Sequence, residues 1–299
     1  VAETFVIETS GLNKDYGGVE AVRGLNLQVP AGSIYGLLGR NGAGKTTTIK
    51  VLLGMAHPTS GVARVFGLAA DVPQASVEIR QRTGFVSEDK DLYDSMTVEQ
   101  MVRFTAAFFP RWRGDLASRY LRLFELPSDR KVGALSRGTR AKLALLLALC
   151  RGAELLMLDE PTSGLDPAVS EEVLQALVRH VATEEITVFL SSHRIAEVDQ
   201  IADHIAIIDQ GRTAVAGALD DIRGSYRRIQ LVFDGDAPEP SLRAEGVVRV
   251  QRRGRVLTII ASRGADAVLD EARVLRPASV DVLPVTLKEI FLETVKTED

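Results

Sequence analysis

The chain has one cysteine in 299 residues, Cys150, so no disulfide can form within it. That thiol ends the run Leu145-Leu-Leu-Ala-Leu149, where a buried structural group is expected rather than a reactive one. No apolar stretch approaches the roughly 18 residues of a membrane span, and the first residues lack the basic lead and apolar core of a signal peptide. The expectation is a chain that stays in the cytoplasm and reaches any membrane process through another polypeptide. There is no excess of positive charge either. The 36 Lys and Arg against 40 Asp and Glu leave a formal net charge of -4, so no nucleic-acid partner is expected. With 45% hydrophobic and 25% charged residues, the composition is that of an ordinary soluble protein. It is long enough for a large core and a smaller second unit.

What is present is punctuated by glycine. The apolar run Ile34-Tyr-Gly-Leu-Leu38 leads into Gly39-Arg-Asn-Gly-Ala-Gly-Lys-Thr46, which fits G-x-x-x-x-G-K-[ST]. A strand, a glycine turn and a helix predicted from Thr46 to Leu53 form the context of a phosphate loop. Gly39, Gly42 and Gly44 let the backbone turn without Cβ obstruction, so N–H groups and the helix start can face phosphate oxygens. Lys45 would reach the β and γ phosphates, and Thr46 would offer a hydroxyl to Mg²⁺. The nucleotide-contacting set is therefore Gly39, Arg40, Asn41, Gly42, Ala43, Gly44, Lys45, Thr46 and Thr47, around a nucleoside triphosphate and Mg²⁺. Tyr16, just before Gly17-Gly18, is an aromatic placed either in the core or near the nucleotide base.

Further strands end on chemistry. Leu155-Leu-Met-Leu158 runs straight into Asp159-Glu160-Pro161, and Ile186-Thr-Val-Phe-Leu190 into Ser191-Ser-His193; Thr83 to Glu88 reads as a short strand opening into a polar loop, and Ile205 to Ile208 as another strand. Apolar strands alternating with helical stretches argue for an α/β fold with a largely parallel sheet, its ligands at the carboxyl ends of the strands. There Asp159 can meet the metal and Glu160 can activate water as general base. His193 can hydrogen-bond the γ-phosphate and help hold Glu160. Helical spacing over 97–109 and 116–124 marks an insert between two elements of the site. Its Trp112, Phe104, Phe108 and Phe109 either pack or face a partner.

The character changes near Gly217. Strands over 227–233 and 247–260 separated by the Pro-rich turn 236–240, a helix over 265–275 and a final one over 287–295 describe a small α+β appendage. The basic run Arg249, Arg252, Arg253, Arg255 reads as a solvated hairpin turn or as a site for an acidic partner.

In order along residues 4–217, Tyr16, the phosphate loop, Glu88, Leu135-Ser-Arg-Gly-Thr139, Leu155 to Glu160, Ser163-Gly-Leu-Asp166 and His193 together resemble the nucleotide-binding subunit of ABC transporters. The resemblance implies a phosphate-loop ATPase core over 1–220 with an antiparallel β subdomain and a helical subdomain near 89–150, followed by an accessory domain over 221–299. It implies that Ser136 and Gly138 bind the γ-phosphate held by an opposing subunit, that Asp166 accepts a hydrogen bond across that interface, and that Glu88 joins Thr46 and Asp159 at the metal. Three positions depart from the family's pattern: Glu88 stands for glutamine, Arg137 for the first glycine of the signature, and Thr139 for its glutamine. Arg137 either attracts phosphate or contacts a neighbouring loop.

The implied protein is an ATP hydrolase on the cytoplasmic face of the cell membrane, powering a separate transmembrane subunit. It works as a homodimer or heterodimer of nucleotide-binding subunits. The ending Leu287-Lys-Glu-Ile-Phe-Leu292 resembles the multidrug and antibiotic-export branch, which points to an exporter. The alternatives are a soluble ABC ATPase that remodels ribosomes or DNA, and a regulatory partner that binds ATP but barely hydrolyses it.

Overall fold

The computed structural model describes residues 4–239, 242, 244–262 and 264–295; Pro240 of the expected turn lies outside them. The chain divides into two compact units, Val1–Val215 and Ala216–Asp299.

The first unit begins with β1 (Phe5–Asp15) and β2 (Glu20–Pro30), paired antiparallel. Leu25, Leu27 and Val29 alternate into the core, as a strand with one buried face requires. β3 (Ile34–Leu38) is buried along its whole length, and α1 (Lys45–Leu52) follows the phosphate loop. Next come β4 (Ser60–Val65), β5 (Leu68–Ala69) and α2 (Pro73–Arg82), none of which is legible from apolar spacing. Only Ser76 and Ile79 of α2 are buried, too few to set a period. After β6 (Thr83–Val86), the insert is built from α3 (Val98–Ala106), α4 (Gly114–Leu123) and α5 (Arg137–Leu149). A reciprocal Thr97–Gln100 capping box starts α3. Leu143 to Leu149 of α5 are all buried, and the run ends on the buried thiol of Cys150, whose pKa burial pushes up to about 12.

The unit closes with β7 (Leu155–Asp159), α6 (Pro167–Glu184), β8 (Thr187–Ser192), α7 (Ile195–Ile201), β9 (His204–Asp209) and β10 (Arg212–Ala218). Two sheets result, a four-stranded one in the order β2-β1-β4-β5 and a six-stranded one in the order β10-β9-β3-β8-β7-β6. From β9 to β6 every pairing is parallel. This is an α/β fold. Its register puts Leu38 beside Ser192, Ser191 beside Asp159 and Leu158 beside Val86, so the carboxyl ends of β3, β8, β7 and β6 finish on one level.

The second unit comprises α8 (Leu219–Ser225), β11 (Tyr226–Val232), β12 (Val247–Arg253), β13 (Val256–Ser262), α9 (Ala265–Val274), β14 (Ser279–Pro284) and α10 (Leu287–Thr294). Its sheet runs β12-β13-β11-β14, antiparallel throughout. The stretch 247–260 is two strands, because Gly254 takes φ 55 between Arg253 and Arg255 and turns the chain back. Val268 and Ala272 of α9 pack on Ile229, Leu231, Leu257 and Ile259. Arg249 of the basic run is paired with Glu293 at 2.7 Å.

One buried base in the first unit makes stability depend on pH. His180 of α6 is buried, with the Tyr120 hydroxyl 3.1 Å from its Nδ1. Burial pushes its pKa down to about 4, with Glu184 opposing and Arg113 and Arg119 adding to the shift. Unfolded histidine titrates near 6.5, so between these values the unfolded chain holds the extra proton and stability falls as pH falls. Between pH 7 and pH 5 the loss from this group is about 2 kcal/mol. Urea unfolding of the natural chain and of His180→Gln at both pH values is expected to show the smaller drop in the variant.

Candidate nucleotide site

The phosphate loop turns on glycines that are required for two distinct reasons. Gly42 takes φ 81 with open space around its Cα, whereas Gly44 takes φ 102 and a Cβ there would lie 2.3 Å from the carbonyl oxygen of Ala21. Neither conformation suits a residue with a side chain. Gly44 also caps α1 without any side-chain acceptor, and the first turn of that helix holds no acidic residue. The N–H groups at the helix start are therefore free to meet an anion. A cleft of about 380 Å³ opens here, lined by Asn41, Gly42, Gly44, Lys45, Thr46 and Thr47 together with Ala21, Glu88 and Glu160.

Lys45 is buried and pointed back over the loop. Its Nζ donates to the carbonyl oxygens of Gly39 at 2.9 Å and Arg40 at 3.3 Å. It also pairs with Glu160 Oε1 at 3.2 Å. The other carboxylate oxygen of Glu160 lies 2.8 Å from Nδ1 of His193, which is exposed. Lys45, Glu160 and His193 thus form one chain of contacts from the end of β3 across β7 to the end of β8. Glu160 takes φ 49, left-handed for a residue with a side chain, and its N–H donates to Ser191 Oγ at 3.1 Å. The Ser191 hydroxyl in turn donates to Asp159 Oδ1 at 2.6 Å. Ser191, which sequence reasoning passes over as one of two serines before the histidine, thereby holds the Asp159 carboxylate and the Glu160 backbone.

The donor set suits a hard divalent cation. Thr46 and Glu88 line the cleft with a hydroxyl and an exposed carboxylate, whereas Asp159 is buried, is not among the lining residues and has Oδ1 held by Ser191, leaving its second oxygen as the donor it could offer. Among the described residues no cluster of three or more His, Cys, Asp or Glu could hold a metal by itself.

Ser136, Gly138 and Asp166 do not line the cleft. Ser136 caps α5, accepting from the N–H of Thr139 at 3.1 Å, and its hydroxyl lies 2.8 Å from that of Thr139. A Cβ on Gly138 would sit 3.3 Å from Val169 of α6, so glycine lets the two helices approach there. Arg137 reaches towards the 163–166 loop, its Nη1 3.9 Å from where a Cβ on Gly164 would stand. Asp166 caps α6 through Oδ1, which accepts from Ala168 and Val169 at 3.1 and 3.0 Å. Tyr16 is 49% exposed at the β1–β2 turn, beneath the Lys14 ammonium at 4.5 Å.

Two further side chains at this site carry no motif. Lys90 is 8% exposed, and its Nζ donates to the Glu88 carbonyl at 3.0 Å. Burial lowers its pKa, opposed by the carboxylates of Glu88, Asp89, Glu160 and Asp159. Arg140 reaches the same loop from α5. In sequence both are ordinary basic residues in polar stretches. On the other side of this loop, Ser87, Lys90, Asp91 and Leu92 help line a groove of about 180 Å³ together with Met101, Phe109 and Leu147 of the insert. Nearby, Tyr93, Phe104 and Phe108 form a ladder of edge-on ring contacts at 5.4 and 5.0 Å and are 57%, 37% and 63% exposed.

The ABC transporter family pattern matches residues 22–163. Over 308 aligned positions the chain is 32% identical to the bacitracin transport ATP-binding protein BcrA of Bacillus licheniformis, covering 96% of this chain and 95% of that protein. It is 40% identical to the daunorubicin/doxorubicin resistance ATP-binding protein DrrA of Streptomyces peucetius, covering 74% of this chain and 68% of that one. A solved structure of the ATP-binding subunit of an ABC transporter superposes with a TM-score of 0.66 at 28% identity, over 74% of this chain and 92% of the other. On this cleft, these strand ends and these similarities, the chain belongs to the ATP-binding proteins of ABC transporters, a family that binds and hydrolyses ATP.

Proposed function

We propose that the chain hydrolyses Mg-ATP in a composite site shared between two nucleotide-binding subunits and so powers an exporter whose membrane-crossing part is another polypeptide. The observation that carries this reading is the division of the expected site. The cleft holds the phosphate loop, Glu88 and Glu160, while Ser136, Gly138 and Asp166 stand outside it. A second subunit packed head to tail would bring its own copies of those residues to the open side, and ATP would join the two.

The chain's own groups divide the work. The loop N–H groups and Lys45 bind and orient the phosphates, Lys45 exchanging its contact with Glu160 for the γ-phosphate. Freed of that contact, the Glu160 carboxylate takes a proton from the attacking water. His193 holds Glu160 through Nδ1 and leaves its second ring nitrogen for the γ-phosphate. Mg²⁺ held by Thr46, Glu88 and Asp159 would offset phosphate charge and fix the triphosphate's geometry. Loss of the γ-phosphate weakens the interface and the pair reopens.

Among the described residues no helix is long and apolar enough to cross a membrane, and this reading assigns the membrane-crossing part to a separate polypeptide. We assign the exposed Tyr93–Phe104–Phe108 ladder beside the Ser87–Leu92 loop to that partner; on this reading the chain sits peripherally on the cytoplasmic face. The relatives' names refer to bacitracin transport and to daunorubicin/doxorubicin resistance, which supports export and disfavours both the ribosome- or DNA-remodelling reading and the weakly hydrolysing one. The two nucleotide-binding subunits are either identical or different chains.

Glu160→Gln is expected to keep ATP binding, slow hydrolysis about a hundredfold or more, and trap an ATP-bound dimer visible by size-exclusion chromatography. Turnover at the natural rate would sink the assignment of the base. Lys45→Ala is expected to weaken ATP binding about tenfold or more in a direct titration, since a buried charge-assisted contact to phosphate is lost. The double variant Phe104→Ser, Phe108→Ser is expected to shift the chain from the membrane fraction to the supernatant while leaving ATP binding intact. Retention on membranes would rule out the aromatic ladder as the docking surface.

A further inference from the structure

We propose that Arg140 and Lys90 are positioning residues for the hydrolysis reaction, forming a clasp that fixes how far Glu88 reaches into the nucleotide cleft. Ser87 to Lys90 form a tight turn, closed by the Lys90 N–H donating to the Ser87 carbonyl at 3.2 Å. The carboxylates of Glu88 and Asp89 occupy its two central positions. Such a turn repels itself electrostatically and has no helix or strand to hold it.

Lys90 answers the repulsion from behind. Its side chain is buried, and Nζ donates to the carbonyl of Glu88 at 3.0 Å, bracing the turn from within. The backbone of Lys90 takes φ 51, a left-handed conformation that glycine or asparagine would adopt at less cost. A lysine kept in so unfavourable a backbone position points to a role for its ammonium group. Arg140 then grips the loop from outside with its whole fork. Nε donates to the Lys90 carbonyl at 3.1 Å, Nη2 to the Leu92 carbonyl at 3.1 Å, and Nη1 to the Asp94 carboxylate at 2.6 Å. A planar guanidinium holds its three acceptors in one fixed plane, whereas an ammonium presents its three donors on a rotatable tetrahedral head.

The grip has a direction. The N–H of Arg140 bonds the Ser136 carbonyl at 2.9 Å, so Arg140 lies one helical turn beyond the residue that caps α5. The loop that presents Glu88 is thereby fastened to the helix whose first turn carries Ser136 and Gly138. Glu88 in this clasp takes its position from α5 as well as from β6. The inference rests on the proposed function for the statement that Glu88 serves hydrolysis; the clasp itself does not.

Two measurements on the full chain test it. Without nucleotide, hydrogen exchange in Arg140→Met is expected to quicken about tenfold at the Lys90 and Gly133 amides, whose acceptors are Ser87 and Asp94, and to stay unchanged over 143–149 of α5. In ATPase assays, Arg140→Met and Lys90→Asn are each expected to lower kcat about tenfold with KM for ATP within about twofold, and Lys90→Arg to recover kcat to within about threefold. Asparagine tolerates the left-handed backbone, so a loss in Lys90→Asn reports the ammonium rather than the turn. Unchanged exchange at those two amides overturns the clasp, as does acceleration spreading through α5, which would make Arg140 a residue of the fold alone. A loosened turn with natural kcat overturns its link to hydrolysis. Because the exchange arm uses no nucleotide, natural turnover in Glu160→Gln would defeat the functional reading while leaving the clasp separately scored.

Discussion

The buried ion pair between Lys45 and Glu160 is the contact on which the site depends. Both side chains are almost wholly out of solvent, at 7% and 5% exposure, where an unpaired charge would be costly. Each neutralises the other, while the Gly39 and Arg40 carbonyls and His193 complete their contacts. Under the proposed reading the pair is also a lock, because the ammonium that must meet the γ-phosphate and the carboxylate that must take a proton from water neutralise one another. An arriving triphosphate competes for Lys45, and its binding is what frees Glu160.

The remaining structure keeps that pair where exchange of partners is possible. The parallel register sets the ends of β3, β7 and β8 level, so Glu160 and His193 follow directly on two strand ends and meet Lys45, which opens α1 after the loop that leaves β3. Behind the phosphate loop, the Gly211 N–H donates to the Ala43 carbonyl at 3.1 Å and the Gly211 carbonyl accepts from Arg23 at 2.8 Å. The loop is thus backed by the antiparallel sheet and by the β9–β10 turn. Preorganisation of this kind lets binding energy go into orienting the substrate.

The parts of this arrangement that are legible in the sequence are those where one local pattern determines the outcome. Ile34 to Thr46 reads as strand, loop and helix because a fully buried parallel strand needs an unbroken apolar run and the turn needs glycine. Leu155 to Glu160 reads the same way. Positions 60–82 are silent because β4 and β5 lie at one side of the antiparallel sheet and α2 buries little, so their apolar residues set no period. β14 is missed for a similar reason: none of its residues is fully buried. Within the site, Ser191 and Lys90 escape notice because their importance lies in what faces them across the fold. Asp166 shows the converse. Its place in a motif says nothing of the two N–H groups of α6 that it already caps, and Arg137's reach towards Gly164 is likewise invisible until the helices are packed.

The Ser87–Leu92 loop has a cleft on one side and a groove on the other, with Glu88 in the first and Lys90 in the second. It is a partition a single turn thick. The buried Lys90 side chain, with Nζ on the Glu88 carbonyl, braces that turn, and close-packed structure transmits displacement rather than absorbing it. Under the proposed function, the place where a phosphate is lost and the place where a neighbouring protein is pushed are two residues of backbone apart, and the stiffness of those residues limits how much of one event is felt as the other.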